Sequence, residues 1–328
     1  MQHSFPAVAP FRVEQWWKFK LIPPLIAVYA ACLQGDVSIA SRWQQLLGVI
    51  IALGSGAAAI SVINDLFDRA DDLRAGKLNR LEAASSLKIA LLVLPHLMIA
   101  AVAIWWWQDE PLALAIYAAT WVMFACYSIP PIRLKRRGLL GALADAAGAN
   151  LLPLLLAIVA TVPGRLDPLF LVAGVIWALS LGLRGIVWHQ LHDLAGDQRS
   201  GVTTFVVAAT PERARALITK WLFPLELAGI ITMIALAGSW AGVGALAFYA
   251  LTVGKVKRHF GLRAAVISDA DRCEPLMHDF YLILLPLALL VQSTMSHFSD
   301  AWVLLIHLVA FAPALLAYAS EIRHWRKR

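Results

Sequence analysis

Apolar residues run through this chain in long blocks separated by shorter polar stretches. A helix needs about 20 mostly apolar residues to cross a bilayer. Windows of that kind centre near residues 26, 55, 97, 120, 150, 180, 226, 249, 288 and 310. The pattern therefore predicts an all-α fold, a polytopic transmembrane helix bundle with ten candidate spans. Short turns with glycine, proline or small residues, such as GSW at 238–240 and VPGRLDP at 162–168, separate them on one side. Longer connections on the other side carry nearly all the unusual chemistry.

Composition agrees with this pattern. Hydrophobic residues make up 60% of the 328, charged residues 15%, and there are 13 tryptophans, which is the balance of a membrane protein. Loop charge gives an orientation, because cytoplasmic loops carry the excess of lysine and arginine. With the N-terminus inside, only Arg42 and Arg165 fall on the outer side and Arg184 within a helix, leaving 25 of the 28 basic residues inside. Both termini, including the tail RHWRKR, are then expected in the cytoplasm, and the protein in the cytoplasmic membrane. The net charge of +7 is read as a topology signal; nucleic-acid binding is excluded because no folded basic domain presents that charge. The stretch MQHSFPAVAPFRVEQ has no signal-peptide pattern, so the first helix is expected to be the membrane address. Cys32, Cys126 and Cys273 are too dispersed for a disulfide or zinc framework. No polar segment exceeds roughly 30 residues, below independent domain size. Residues 1–328 are thus expected to form one domain, with no obligatory protein partner implied.

Two acidic clusters stand out. NDLFDRADD (64–72) ends the second candidate helix, and HDLAGDQRSG (192–201) ends the sixth, on the same side. At 3.6 residues per turn, Asp65, Asp68 and Asp72 fall within about 60 degrees of one another, with Asp71 turned away toward solvent. Asp193 and Asp197 likewise share a face, and His189 lies one turn deeper. Crowded carboxylates take up protons unless a cation compensates them. Mg²⁺ fits, since it prefers oxygen ligands and binds through one or two carboxylates together with substrate phosphates. A solvated acidic helix end is the plain reading of one cluster alone; two clusters on one side of a membrane bundle mark a site, in a cavity facing the cytoplasm. A zinc peptidase is disfavoured: His189 and His192 are three apart and HExxH is absent.

A diphosphate would also need cations and donors. Lys77, Asn79 and Arg80 follow the first cluster, Arg133 and Lys135 lie in YSIPPIRLKRRG, and Arg199 follows the second. Lys18 and Lys20 at the start of the first helix are placed to reach inward. Singly, each is explained by topology; as a set beside the acids they become diphosphate ligands. Tyr127, like Trp105, Trp106 and Trp107, reads singly as an interfacial aromatic. Asp145 and Arg184, at similar depth on successive helices, are expected to pair structurally, with acceptor binding as the second role. His189 and His192 are weak candidates for acceptor contact or support of the aspartates.

NDLFDRADD, HDLAGDQRSG and YSIPPIRLKRRG together resemble the NDxxDxxxD, DxxxD and YSxPPxRLK motifs of the UbiA superfamily of intramembrane prenyltransferases, in order, over roughly residues 16–300. The resemblance implies a nine-helix bundle around a central cavity, so nine to ten spanning helices are expected, residues 300–320 being a C-terminal addition. It implies Mg²⁺ held by Asn64, Asp65, Asp68, Asp72, Asp193 and Asp197, the four aspartates Asp65, Asp68, Asp193 and Asp197 being catalytic. Lys77, Arg80, Tyr127, Arg133, Lys135 and Arg199 would hold the diphosphate. The implied activity is Mg²⁺-dependent transfer from a prenyl diphosphate to an unidentified acceptor, by default an aromatic or quinone precursor. Arg80 departs from the pattern, being followed by Leu81 where family members often have proline. A membrane terpene cyclase on the same scaffold and a membrane transporter are the competing readings; the latter is disfavoured because the clusters lie at helix ends and not at the midplane.

Overall fold

The computed structural model describes residues 11–326 except 163, 165, 260, 262, 271 and 272. Arg165, residues 1–10 of the leading stretch and the last two residues of the basic tail fall outside the described residues. The described chain is helical, with one short pair of parallel strands. The helices are α1 (Val13–Gln34), α2 (Trp43–Ala75), α3 (Ser86–Trp106), α4 (Pro111–Ser128), α5 (Leu139–Ala146), α6 (Leu152–Thr161), α7 (Pro168–His192), α8 (Leu194–Ser200), α9 (Phe205–Ala209), α10 (Pro211–Leu217), α11 (Phe223–Leu236), α12 (Trp240–His259), α13 (Leu285–Ser296), α14 (Ala301–Ala310) and α15 (Ala312–Arg326). Strands β1 (Arg263–Ala265) and β2 (Cys273–Pro275) lie between α12 and α13. One π-helical turn, Ala147–Leu151, joins α5 to α6 and another, Ile218–Leu222, joins α10 to α11, so each pair runs as one rod.

Six rods are long and apolar enough to cross a membrane: Ile39–Ala75, Ser86–Trp106, Pro111–Ser128, Leu139–Thr161, Pro168–His192 and Pro211–Leu236. This is a multi-pass membrane protein. A seventh span results only if Phe298–Ala310 and Ala312–Ser320, bent by 73° at their junction, count as one. The expectation of nine to ten spanning helices is therefore corrected to six, or at most seven, among the described residues. Hydropathy marks residues that avoid water, and a protein core serves them as well as lipid does. The windows near 249 and 288 fold into the shorter apolar helices Trp240–Gly254 and Phe280–Ser296. The window near 26 forms α1, which carries Lys18 and Lys20 in its first turns and buries every residue from Leu21 to Cys32 inside the protein.

The opposite case is α3, where only Ala100 and Ala103 are buried, so nearly all its apolar surface faces outward. A continuous core runs from Trp16 on α1 through Trp177 on α7 to Phe311 between α14 and α15. At Gly182 a Cβ would lie 2.7 Å from Asn150 Nδ2 and 2.8 Å from Ala146 Cα, so only glycine lets α7 approach α5 and its π-helical turn this closely.

Candidate active site

The first acidic motif occupies the last turns of α2. That helix ends at Gly76, whose φ of 71° is the left-handed conformation glycine adopts without penalty; the Gly76 and Lys77 amides donate back to Leu73 and Asp72. The chain then folds back over the acid face. Asn79 Nδ2 donates to the Asp65 carbonyl and to Asp72 Oδ2, both at 2.7 Å, while its own Oδ1 accepts from the Leu81 amide at 2.9 Å. The loop carrying Lys77, Asn79 and Arg80 is thereby fixed against the residues it serves.

The loop after α4 reaches the same face. Pro130 and Pro131 follow the end of α4 at Ser128, as proline requires. Arg133 donates to the Phe67 carbonyl at 2.5 Å and pairs with Asp68 at 3.1 Å and Asp71 at 2.9 Å. Lys135 contacts Asp68, and Ser128 donates to Asn64 Oδ1. The Gly138 amide donates to the Thr203 carbonyl at 2.9 Å, tying this loop to the segment that follows the second motif.

The second motif straddles the end of α7 and α8. Lys77 Nζ lies 3.1 Å from Asp193 Oδ1, and Arg199 donates to the Ala75 carbonyl at 3.2 Å. Side chains from both motifs, Asn64, Asp68, Asp72, Asp193 and Asp197, line one cavity of about 330 Å³, joined by Lys77, Tyr127, Lys135 and His189. Asp65 lies behind this lining, 2% exposed, 2.6 Å from Arg12 and 3.7 Å from Arg80.

Electrostatics are opposed across the cavity. Burial, reinforced by the neighbouring charge of Asp193, pushes the Asp197 carboxyl up to about 6. Burial, with Arg136 and Arg12 close by, pulls the Lys135 ammonium down to about 8. Among the described residues no three His, Cys, Asp or Glu side chains converge as a preformed metal cage. Oxygen is nevertheless available: Asp65 Oδ2 is buried without a hydrogen bond, and Asp197 takes part in no ion pair among the described residues. Such donors suit a hard cation that completes its shell with water and phosphate.

Four placements differ from the sequence expectation or were missed by it. Asp71 is not turned to solvent; it is 7% exposed and held by Arg74 and Arg133. It lines the same cavity as Asp68 and Asp72, and the Arg133 guanidinium from the loop after α4 bridges it to Asp68. Arg184 does not pair with Asp145. It is 4% exposed and bonds Glu226 on α11 through two contacts of 2.6 and 2.7 Å, with Tyr281 donating to the same carboxylate at 3.0 Å. The sequence signal for Glu226 was its isolation in the apolar run WLFPLELAGIITMIAL. His192 is not brought to the cavity; exposed, it stacks on Trp188 and bonds the Trp188 carbonyl at 2.9 Å. Arg12 was missed because it precedes the first apolar block, where nothing in spacing connects it to Asp65.

Comparison with known proteins places this arrangement. The profile of the UbiA prenyltransferase family matches residues 21–267. Among solved structures, a UbiA homolog from Archaeoglobus fulgidus bound to GPP and Mg²⁺ superposes with a TM-score of 0.51 at 15% identity, covering 86% of this chain and 99% of that chain. The same homolog bound to DMAPP and Mg²⁺ gives 0.48 at 14% identity, covering 89% and 99%. No curated protein matches. The superposition at 0.51 shows a shared fold, while the profile covers three quarters of the residues and includes both aspartate motifs. The chain belongs to the UbiA prenyltransferase family and is an enzyme of that family.

Proposed function

We propose that the protein ionises a prenyl diphosphate with Mg²⁺ and transfers the prenyl group to an acceptor, by family association an aromatic or quinone precursor. The observation that carries this reading is the single 330 Å³ cavity lined by both aspartate motifs together with Tyr127 and Lys135. The A. fulgidus homolog was solved with GPP or DMAPP and Mg²⁺, and the donor set here suits the same pair.

Asn64, Asp65, Asp68, Asp72, Asp193 and Asp197 would hold Mg²⁺, which when bound neutralises the departing diphosphate as a Lewis acid. The carboxylates pair with the chain's own cations: Arg12 on Asp65, Arg133 and Lys135 on Asp68, Lys77 on Asp193. When substrate binds, those cations turn to the phosphate oxygens, joined by Arg80, Arg199 and the Tyr127 hydroxyl, and stabilise the charge that develops as the allylic C–O bond breaks. Asn64 also lines a second cavity of about 160 Å³, walled by Trp16, Ile60, Tyr117, Trp121 and Phe124. This apolar space, opening from the metal-binding face, takes the isoprenoid chain and keeps water from the allylic cation.

The bias of lysine and arginine supports placing the motif end on the cytoplasmic side of the cell membrane. The test is turnover of labelled geranyl diphosphate in detergent with and without Mg²⁺. Mg²⁺-dependent diphosphate release that Asp65→Ala and Asp193→Ala abolish is the expected result; full turnover in either variant defeats the reading.

A further inference from the structure

The C-terminal pair α14 and α15 lies beyond residue 267, where the family match ends, and the site described above uses none of it. The pair starts at the end of the bundle opposite the aspartate motifs, where Asp300 is clamped to residues 38–40 ahead of α2. It then runs toward the motif end. The Ala310 carbonyl accepts from the Trp17 indole at 2.9 Å, in the first turns of α1, close after Arg12 meets Asp65. Phe311, 4% exposed, packs against Trp17 and His307 with ring centroids 6.0 and 4.7 Å apart. At this point the axis turns by 73°.

The bend fixes where α15 lies. With α14 packed along α13, Phe298–Ala310 descends about 20 Å at 1.5 Å per residue, two thirds of a hydrocarbon core of about 30 Å. Turned by 73°, the 15 residues of α15 gain only about 7 Å more in that direction. The helix is a shallow ramp through the motif-side leaflet that ends near headgroup depth. Its composition changes to match. Residues 312–319, APALLAYA, are apolar, whereas the last six, RHWRKR, hold four basic residues and a tryptophan, and Glu321 is the one acid after Asp300. Leu315 and Tyr318 pack against the core. Pro313, Leu316, Ala317 and Ser320, spaced as one helix face, turn away from the protein, Leu316 being 66% exposed. An apolar outer face followed by a cationic end is the build of a helix seated at a lipid boundary: the face enters the acyl region and the cations meet phosphate.

We infer that α15 is a membrane-docking element, lying obliquely in the motif-side leaflet and seating the basic end on the phosphate groups of anionic phospholipids. A second copy of this chain is a poorer occupant, because the exposed strip offers one large side chain, Leu316, and the positive charge follows at headgroup depth. The inference stands on the placement of α15 and on charge complementarity, and is independent of the transferase reading.

The experiment uses the full-length protein in nanodiscs of phosphatidylcholine, alone or mixed with phosphatidylglycerol. A nitroxide is attached at Leu316→Cys or Ser320→Cys, with Cys126 and Cys273 replaced by serine and the buried Cys32 kept. Electron paramagnetic resonance reads the access of oxygen, which concentrates in lipid, and of a water-soluble nickel chelate. The label at Leu316 should be reached by oxygen and shielded from nickel in both discs. At Ser320 the ratio of oxygen to nickel access should rise about threefold or more when phosphatidylglycerol is present. Arg323→Gln, Arg326→Gln, Lys327→Gln and Arg328→Gln together should remove that rise, as should salt of about 1 M, where the screening length is about 3 Å. Without any label, native mass spectrometry should find fewer phosphatidylglycerol molecules retained by the fourfold variant than by the wild type. Free nickel access at Leu316 would place α15 in water. A label reached by neither reagent would mean a protein cover, with light scattering reporting whether it is a second copy. Either result, a Ser320 ratio indifferent to phosphatidylglycerol or to the four charges, or equal lipid retention overturns the inference.

Discussion

Two buried aspartates show how this fold separates structure from chemistry. Asp300, fully buried before α14, accepts from Ser38 Oγ at 2.6 Å and the Ala40 amide at 2.8 Å on one oxygen. On the other it accepts from the Ile39 amide at 3.1 Å and Ser293 Oγ at 2.5 Å. Four neutral donors saturate it, and it clamps the α13–α14 turn to the start of α2. Asp65 is almost as buried, yet it meets Arg12 through one oxygen, has Arg80 at 3.7 Å from the other, and leaves that oxygen without a hydrogen bond. A carboxylate filled by fixed donors is structural. One held by movable cations keeps room for a divalent ion and a phosphate.

The largest effect that sharpens this contrast is on activity. Asp65→Ala should lower Mg²⁺-dependent geranyl diphosphate turnover by about 10³-fold or more, roughly 4 kcal/mol, with the thermal midpoint in detergent shifting little. A midpoint that collapses along with activity would make Asp65 a second Asp300. Glu226→Ala should show the structural pattern more strongly, because it strands the buried Arg184 guanidinium at a cost of about 3–5 kcal/mol; thermal unfolding reads it, and the loss should be much smaller when Arg184→Met is added. Asp300→Ala should destabilise by about 2–3 kcal/mol through four orphaned donors, with kcat per folded molecule retained.

The next effect is pH dependence. Burial and the neighbouring Asp193 hold the Asp197 carboxyl up to about 6. Below that pH it carries a proton that a metal must displace, so Mg²⁺ affinity should fall about tenfold per pH unit as pH drops below 6 and level off above it. Asp197→Asn should flatten that dependence along with weakening binding, and isothermal titration between pH 5 and 8 decides it. The smallest effect belongs to His192, which points out of the site onto Trp188. His192→Ala should leave turnover within about twofold, and a larger loss would show that the α7 end rearranges to bring it in.

Much of the site was legible because its signal is local. Asp65, Asp68 and Asp72 recur at helical spacing, Asp193 and Asp197 do so again, and prolines fix where α4 must stop before Arg133 and Lys135. The misreadings share one cause, partners distant in sequence. Helical spacing sets Asp71 off from Asp65, yet Arg133, contributed by the loop after α4, bridges it to Asp68 in the wall of the same cavity. Arg184 and Asp145 sit at similar depth, yet Glu226, 42 residues on, has the geometry that fits the guanidinium. The span count failed for a related reason. The residues of α1 are apolar because protein surrounds them, those of α3 because protein does not, and hydropathy is the same in both.

The sequence by itself determined a helical membrane protein, its two carboxylate motifs and its family, since these depend on residue type and on spacing along single helices. Only the tertiary structure decided which carboxylates are saturated, how many apolar helices are long enough to be spans, and that both aspartate motifs line one cavity. Those properties depend on which surfaces the packed helices bring within a few ångströms of each other, and spacing along the chain does not carry that information.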